Sequence, residues 1–258
     1  KGGFCACSKN ASSAMIYLMK HTPPYKRILL KLSGELMKGE LASGIEATAA
    51  KELALALKTL LETGTQVGLV LGGGNIFRGV QGNALGMDRA RADQMGMLAT
   101  LMNGIALEEA CLAVGCPSLL MSALECPRVA ESFQLRKARN ALDEGLLVIF
   151  VGGTGNPFFT TDTGAALRAS EIGAQVLIKG TKVDGVYAAD PKIHPDAQFY
   201  ANLSYEQVLS QRLEIMDSTA IALCRQNKIP VYVFNMKYIT QKEISKLLTL
   251  ECGGSLIK

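Results

Sequence analysis

Four stretches of this chain gather glycines, hydroxyls and cations at the ends of apolar runs, a mixture suited to holding an anion. The first is Lys31-Leu32-Ser33-Gly34-Glu35. A lysine leaving a strand into a Ser-Gly turn can set its ammonium on phosphate oxygens, with backbone N–H groups beside it. The same pattern also makes ordinary turns. The second is Gly72-Gly73-Gly74-Asn75-Ile76-Phe77-Arg78-Gly79. Successive glycines permit positive φ and close backbone approach, and the planar guanidinium of Arg78 matches phosphate geometry.

The third stretch runs from Gly152 through Gly153, Thr154, Gly155, Asn156, Pro157, Phe158, Phe159, Thr160 and Thr161 to Asp162. Asp162 is placed to cap a following helix, whose N-terminus would offer free N–H groups and a positive dipole end. Phe158 and Phe159, inside so polar a loop, suggest a wall for a planar ligand. The fourth is Lys179-Gly180-Thr181-Lys182-Val183-Asp184-Gly185-Val186-Tyr187, followed by Asp190-Pro191. Its two lysines, threonine and tyrosine could hold a nucleotide, while Asp184-Gly185 alone is a hairpin signal.

Absences narrow the chemistry. No GxxxxGK[ST] occurs, and no GxGxxG follows the first apolar run, so neither a P-loop nor a dinucleotide fingerprint is present. The histidines are two, His21 and His194, which disfavours a His-dependent triad or a His-rich metal site. Seven cysteines at positions 5, 7, 111, 116, 126, 224 and 252 are scattered and odd in number. That is no disulfide framework, and Cys5 with Cys7 lacks the partners of a zinc site, so reduced thiols are expected. A net charge of +4 without a dense basic run argues against nucleic acid as partner and fits a small anion. No apolar run approaches the roughly 20 residues of a membrane span.

These stretches need elements to position them. With 258 residues, 48% hydrophobic and 19% charged, the chain can bury a sizeable core. Apolar runs predict strands at 27–32, 66–71, 118–121, 146–151, 175–178 and 230–234, with a last one near Leu256. Helical spacing predicts helices at 47–62, stopped by Gly64, and at 88–114, with others beginning at Asp162 and near Gln241. The alternation predicts an α/β fold, a mostly parallel twisted sheet sandwiched by helices. Ligands of such sheets collect beyond the carboxyl ends of the strands, where all four stretches fall. Residues 1–24 contain no acid, the first being Glu35. They are expected to be a disordered tail or a non-native extension, with organelle targeting as the alternative, and 25–258 the folded domain.

With the four stretches in view, the chain resembles the bacterial-type uridylate kinases of the amino acid kinase superfamily. The resemblance runs from about Tyr25 to the C-terminus and rests on YKRILLKLSGE, GGGNIFRG, DQMGMLATLMNG, GTGNPFFTTD, TKVDGVYAADP and VFNM. It implies a three-layer α/β/α fold and transfer of a phosphoryl group from ATP to UMP, in pyrimidine nucleotide synthesis. It further implies a UMP-binding part at about 25–150 and an ATP-binding part at about 151–258. Lys31, Leu32, Ser33 and Gly34 match the ATP-phosphate motif, Gly74 and Arg78 the phosphate-binding turn, and Thr181, Tyr187 and Asp190 the ATP side. Gly73 matches a UMP contact, Asp93 the carboxylate that meets the UMP ribose, and Thr154 through Gly155, Asn156, Pro157, Phe158, Phe159 and Thr160 to Thr161 the UMP loop.

Lys31 and Arg78 are assigned to the charge that builds on the transferring group, and Asp162 to orienting Mg²⁺ or the lysines. No residue is assigned as a dedicated metal ligand. The resemblance also implies Mg²⁺ with ATP, a homohexamer and a cytoplasmic location. Acid at Glu40 and at Glu108-Glu109 departs from the effector contacts that GTP or UTP would need, so no effector residues are assigned. Two rivals stand beside this reading: a carboxylate kinase of the same superfamily, acting on acetylglutamate or aspartate, and a non-catalytic nucleotide-binding or metal-storage protein.

Overall fold

A computed structural model describes residues 25–78, 86–240 and 244–258. The acid-free segment, Cys5, Cys7, His21, Gly79 and the predicted helix start at Gln241 lie outside the described residues.

The central strands are continuous apolar runs, as expected where both faces of a parallel sheet are covered. These are β1 (Arg27–Leu32), β2 (Gln66–Leu71), β3 (Ser118–Ser122), β5 (Leu147–Val151), β6 (Val176–Thr181) and β10 (Val231–Asn235). Shorter pieces are β4 (Glu131–Ser132), β7 (Val186–Tyr187), β8 (Phe199–Tyr200), β9 (Asn202–Leu203) and β11 (Ser255–Ile257). Among the described residues nine strands form one sheet in the order β4-β3-β5-β2-β1-β6-β10-β11-β9, parallel except for β10 against β11. The pair β7–β8 stands apart as a small antiparallel ribbon. Asp184-Gly185 is therefore no hairpin turn, because β7 pairs with β8 and not with the strand before it.

The helices are α1 (Ala47–Leu61), α2 (Arg89–Ala113), α3 (Leu135–Asp143), α4 (Thr161–Ile172), α5 (Tyr205–Ser210), α6 (Ser218–Gln226) and α7 (Lys237–Thr240). They cover both faces of the sheet. One core layer packs Ile28, Leu30, Leu69, Ile149 and Ile178 against Leu53 and Leu57 of α1 and Leu107 of α2. The other packs Leu29, Val70, Phe150 and Leu177 against Ala165, Ala169 and Ile172 of α4 and Ile221 of α6. Alternate strand residues thus serve opposite layers, and each fully buried leucine or isoleucine contributes about 2 kcal/mol by leaving water.

Strand order decides where a site can form. β5, β2, β1 and β6 are consecutive neighbours, so the segments after Val151, Leu71, Leu32 and Thr181 leave one edge of the sheet side by side. All four stretches singled out in the sequence meet there.

Candidate active site

The register of β1 on β6 sets Lys31 beside Lys179. On the α4 face of the sheet they interrupt an otherwise apolar row of Phe150, Val70 and Val233. Two like charges side by side in a sheet repel, and both side chains are mostly buried, at 14% and 10% exposure. Asp162 answers them. Its Oδ1 lies 2.8 Å from Lys31 Nζ and its Oδ2 accepts a 2.6 Å hydrogen bond from Lys179 Nζ. The Oδ1 contact is an ion pair without an aligned hydrogen bond, leaving that buried oxygen with coordinating capacity. Lys179 also donates to the Ile215 carbonyl.

The balance of charges is uneven. Burial pushes Asp162 up, but Lys31 and Lys179 together outweigh it and hold the carboxyl below its ordinary range. Burial pushes the Lys179 ammonium down, Asp162 opposes this, and Lys31 adds to the depression. Two ammoniums share one contacting carboxylate, with Asp217 acting on Lys179 only through its field, so the cluster suits a further anion. The N-terminus of α4 adds to it. Thr160, not Asp162 as expected, is the cap: its Oγ1 accepts from the Asp162 and Thr163 amides at 3.1 and 3.3 Å. Asp162 sits in the first turn, two residues past the cap, and turns its carboxylate to the lysines.

Two cavities neighbour this trio without being lined by it, one reached through Thr161, next to Asp162, and the other through Thr181 and Ile215. One, of about 330 Å³, is lined by Gly73, Gly74 and Arg78, by Asp93 and Thr100 of α2, and by Thr154, Asn156, Phe159, Thr160 and Thr161. The other, of about 490 Å³, is lined by Thr181, Lys182, Tyr187 and Asp190 and reaches Ile215, whose carbonyl holds Lys179. Both are of ligand-binding size.

Local structure explains why the walls hold their shape. A Cβ on Gly34 would lie 2.1 Å from the Gly72 carbonyl and 2.3 Å from Asn75 Oδ1, so only glycine lets the two turns touch. Buried Asn103 and Asn75 exchange hydrogen bonds of 2.9 and 2.7 Å, and Asn103 also donates to the Gly72 carbonyl at 2.8 Å. Thr100 Oγ1 accepts from the Gly152 amide at 2.8 Å. Asp93 Oδ2 accepts from the Phe158 amide at 2.7 Å, fixing a residue with φ of 71°. Asp93, Thr100 and Asn103 lie on one face of α2 at helical spacing. One helix therefore ties down both glycine-rich loops. Behind Thr160, Asp217 caps α6 and receives Thr160 Oγ1, together with Thr163 Oγ1 at 2.9 Å.

The family-model comparison matches residues 26–235 to the amino acid kinase family. The uridylate kinase of Protochlamydia amoebophila is 53% identical over 232 residues, covering 90% of this chain and 92% of that protein. That of Methylococcus capsulatus is 49% identical, over 91% and 98%. The crystal structure of UMP kinase from Ureaplasma parvum superposes with a TM-score of 0.85 at 38% identity, over 90% of this chain and 98% of that one. The chain belongs to the amino acid kinase family.

Within the family frame, the expected residues divide by position. Lys31 and Asp162 meet at the centre, with Arg78 at the rim, its Nε 3.0 Å from the Gly74 carbonyl and its Nη2 on Glu35. Ser33 caps the turn after β1 and accepts from the Glu35 amide at 3.3 Å. Leu32 is fully buried in the core and its carbonyl accepts from Gly72, so it offers a ligand no side-chain contact. Thr181 turns its hydroxyl to the Val183 and Phe234 carbonyls, at 2.7 and 3.2 Å. Of the predicted aromatic wall, Phe159 lines the smaller cavity; Phe158 turns out under Arg89, 5.3 Å from its ring, and with Gly155 and Pro157 it does not line that cavity. Lys179 is expected only as one of two lysines that could hold a nucleotide; Glu35, Thr100 and Asn103 stand inside quoted stretches without roles of their own, and Asp217 is not picked out. Lysine in an apolar run and polar residues at 93, 100 and 103 on one helix face were the available signals.

Proposed function

We propose that this site moves the terminal phosphoryl group of ATP onto the phosphate of UMP, giving ADP and UDP. The observation that carries the reading is the Lys31–Asp162–Lys179 cluster at the N-terminus of α4, whose chain neighbours Thr161 and Thr181 line two different nucleotide-sized cavities. In this reading the 490 Å³ cavity takes ATP, with Thr181, Tyr187 and Asp190 around its base and ribose. The 330 Å³ cavity takes UMP, with Gly73 and Asp93 on one side and Thr154, Asn156, Phe159, Thr160 and Thr161 on the other. The parts at about 25–150 and 151–258 keep their UMP and ATP roles, except that the loop 152–161 serves UMP.

The acceptor is a phosphate oxygen whose last proton leaves near pH 6, so it is ionised at neutral pH and needs no general base. It bonds to the γ-phosphorus as the bond to the β,γ-bridging oxygen breaks, and ADP departs. Alignment and charge stabilisation are then the chain's whole task. Lys31 and Lys179 neutralise the transferring group from the sheet side, the positive end of the α4 dipole from the helix side, and Arg78 closes the rim. Asp162 holds the two lysines in place. Magnesium, bound with ATP, would supply further charge neutralisation to the phosphates. Asp162, whose buried Oδ1 has no hydrogen-bond partner, would be the residue to hold it.

Self-association belongs to the proposal too. Met95, Leu98 and Met102 form an exposed apolar stripe on α2, which supports contact between copies, and the resemblance supplies six as their number. No helix of the described residues is long and apolar enough to cross a membrane, and cytoplasmic residence is taken from the resemblance. An ADP-release assay with UMP, CMP, acetylglutamate and aspartate in parallel tests the reading. It expects turnover with UMP well above the others. Preference for either carboxylate, or no turnover at all, would replace it with one of the rivals.

A further inference from the structure

One carboxylate of the site has no part in the chemistry above. Glu35, in the turn after β1, is 17% exposed and forms ion pairs with both Arg78 and Lys182, each 57% exposed. The two cations come from different walls: Arg78 lines the 330 Å³ cavity and Lys182 the 490 Å³ one. They meet Glu35 in a recess of about 370 Å³ between the cavities, edged by Lys38 and Ser43. The turn itself is fixed, since Ser33 Oγ accepts from the Glu35 amide and the Glu35 carbonyl accepts from the Lys38 amide at 3.3 Å. The hydrogen bond from Lys182, against the opposing effect of burial, holds the Glu35 carboxyl below its ordinary range.

A carboxylate offers acceptor oxygens only, as phosphate does, and a guanidinium fork or an ammonium accepts either. We propose that Glu35 stands in for phosphate: in the ligand-free chain it holds one cation from each nucleotide cavity, and it cedes both when nucleotides enter. Glu35 is thus a positioning residue that acts through Arg78 and Lys182 and touches no substrate. It has two opposed effects. It keeps two long, exposed side chains within reach of the phosphates, and it competes with those phosphates for them. The inference rests on the phosphoryl-transfer reading of the same site.

Inorganic tripolyphosphate tests it, by calorimetry on the full chain. Glu35→Gln is expected to bind the probe about threefold tighter, the scale of an exposed ion pair, while kcat falls because the cations are no longer held in register. Unchanged or weaker binding overturns the proposal. Two further variants separate a local contact from a general field. In a Lys182→Ala background the gain from Glu35→Gln should shrink; the full gain persisting there overturns it. Glu35→Asp keeps the charge but shortens the reach, and should follow Glu35→Gln; wild-type affinity in Glu35→Asp overturns it. Probe binding is read whether or not UMP is a substrate. A wild-type chain inactive on UMP would therefore end the parent reading and leave this measurement interpretable.

Discussion

Replacing Asp162 by Asn removes one negative charge from between two buried ammoniums and changes little in shape. The side chains of Lys31, Asp162 and Lys179 are 14%, 15% and 10% exposed, so solvent can screen the loss only slightly. Breaking a buried pair by removing one partner costs about 3–5 kcal/mol, and the residual exposure argues for about 3 kcal/mol here. In a domain of this size that is a fall in Tm of about 6–12 °C. The lost charge also frees the lysines from their places beside the transferring group, so kcat should fall about a hundredfold, or ~2.7 kcal/mol. Ligand should restore part of the stability, because ATP phosphates resupply the missing anion. The gain in Tm at saturating ATP is therefore expected to be larger in Asp162→Asn than in the wild type, where Asp162 already serves. Thermal unfolding with and without MgATP, alongside steady-state kinetics, reads all three. A variant that melts within about a degree of wild type, or that gains less from ATP, would refute the assignment of Asp162 as the counter-ion of both lysines.

Gly34→Ala should cost about 2 kcal/mol or more by overpacking, since the new methyl meets the Gly72 carbonyl, which is backbone and cannot step aside; urea unfolding measures it. Asp93→Ala removes the acceptor of the Phe158 amide and should raise KM for UMP about tenfold through a lost charged hydrogen bond, with KM for ATP unchanged. Lys179 carries a pH signature. Its folded pKa is depressed, first by burial, so between that value and the unfolded value near 10.4 the unfolded chain binds more protons and stability rises with pH. Wild type should gain on Lys179→Met as pH climbs through that window in denaturant titrations. Asp162 acts at the other end: its depressed pKa contributes stability above the unfolded value near 3.9 that is lost as pH falls through the folded one. The acid loss should be smaller in Asp162→Asn.

The sequence disclosed the centre of the fold better than its margins. Strands 27–32 and 66–71 are found at the residues predicted, because a strand buried on both faces has to be apolar throughout. β6 runs to Thr181, three residues past the predicted end; Lys179 and Gly180 look like loop chemistry, yet they pair with β1 and β10. Helix α3 escaped notice because its buried face is only Ala138, Ala141 and Leu142 amid arginines and lysine. Helices α5 and α6 are short, and two-residue strands such as β7 and β8 have no periodicity to show. Asp184-Gly185 misled because a hairpin signal says nothing about which strand waits beyond it.

The candidate site divides along a physical line. Lys31, Arg78 and Asp162 were legible because each sits in a glycine- or hydroxyl-rich stretch that has little reason to exist as packing. Asp217, Asn103 and Glu35 were not, because their partners lie 57, 31 and 43 residues away in the chain. Lys179 shows how such a residue acquires its meaning. In β6 it is one polar residue in VLIKGT, which a loop reading absorbs easily. The β1–β6 register places it beside Lys31, and that register is itself fixed from the opposite face, where Ile28, Leu30, Val176 and Ile178 share one core layer. Slipping β6 by one residue against β1 would turn Lys179 into that layer, away from Lys31, and bring an apolar residue onto Asp162. The same leucines and isoleucines that made the strand legible therefore hold the two ammoniums together, and a core substitution that loosens this register should lower activity before it unfolds the chain.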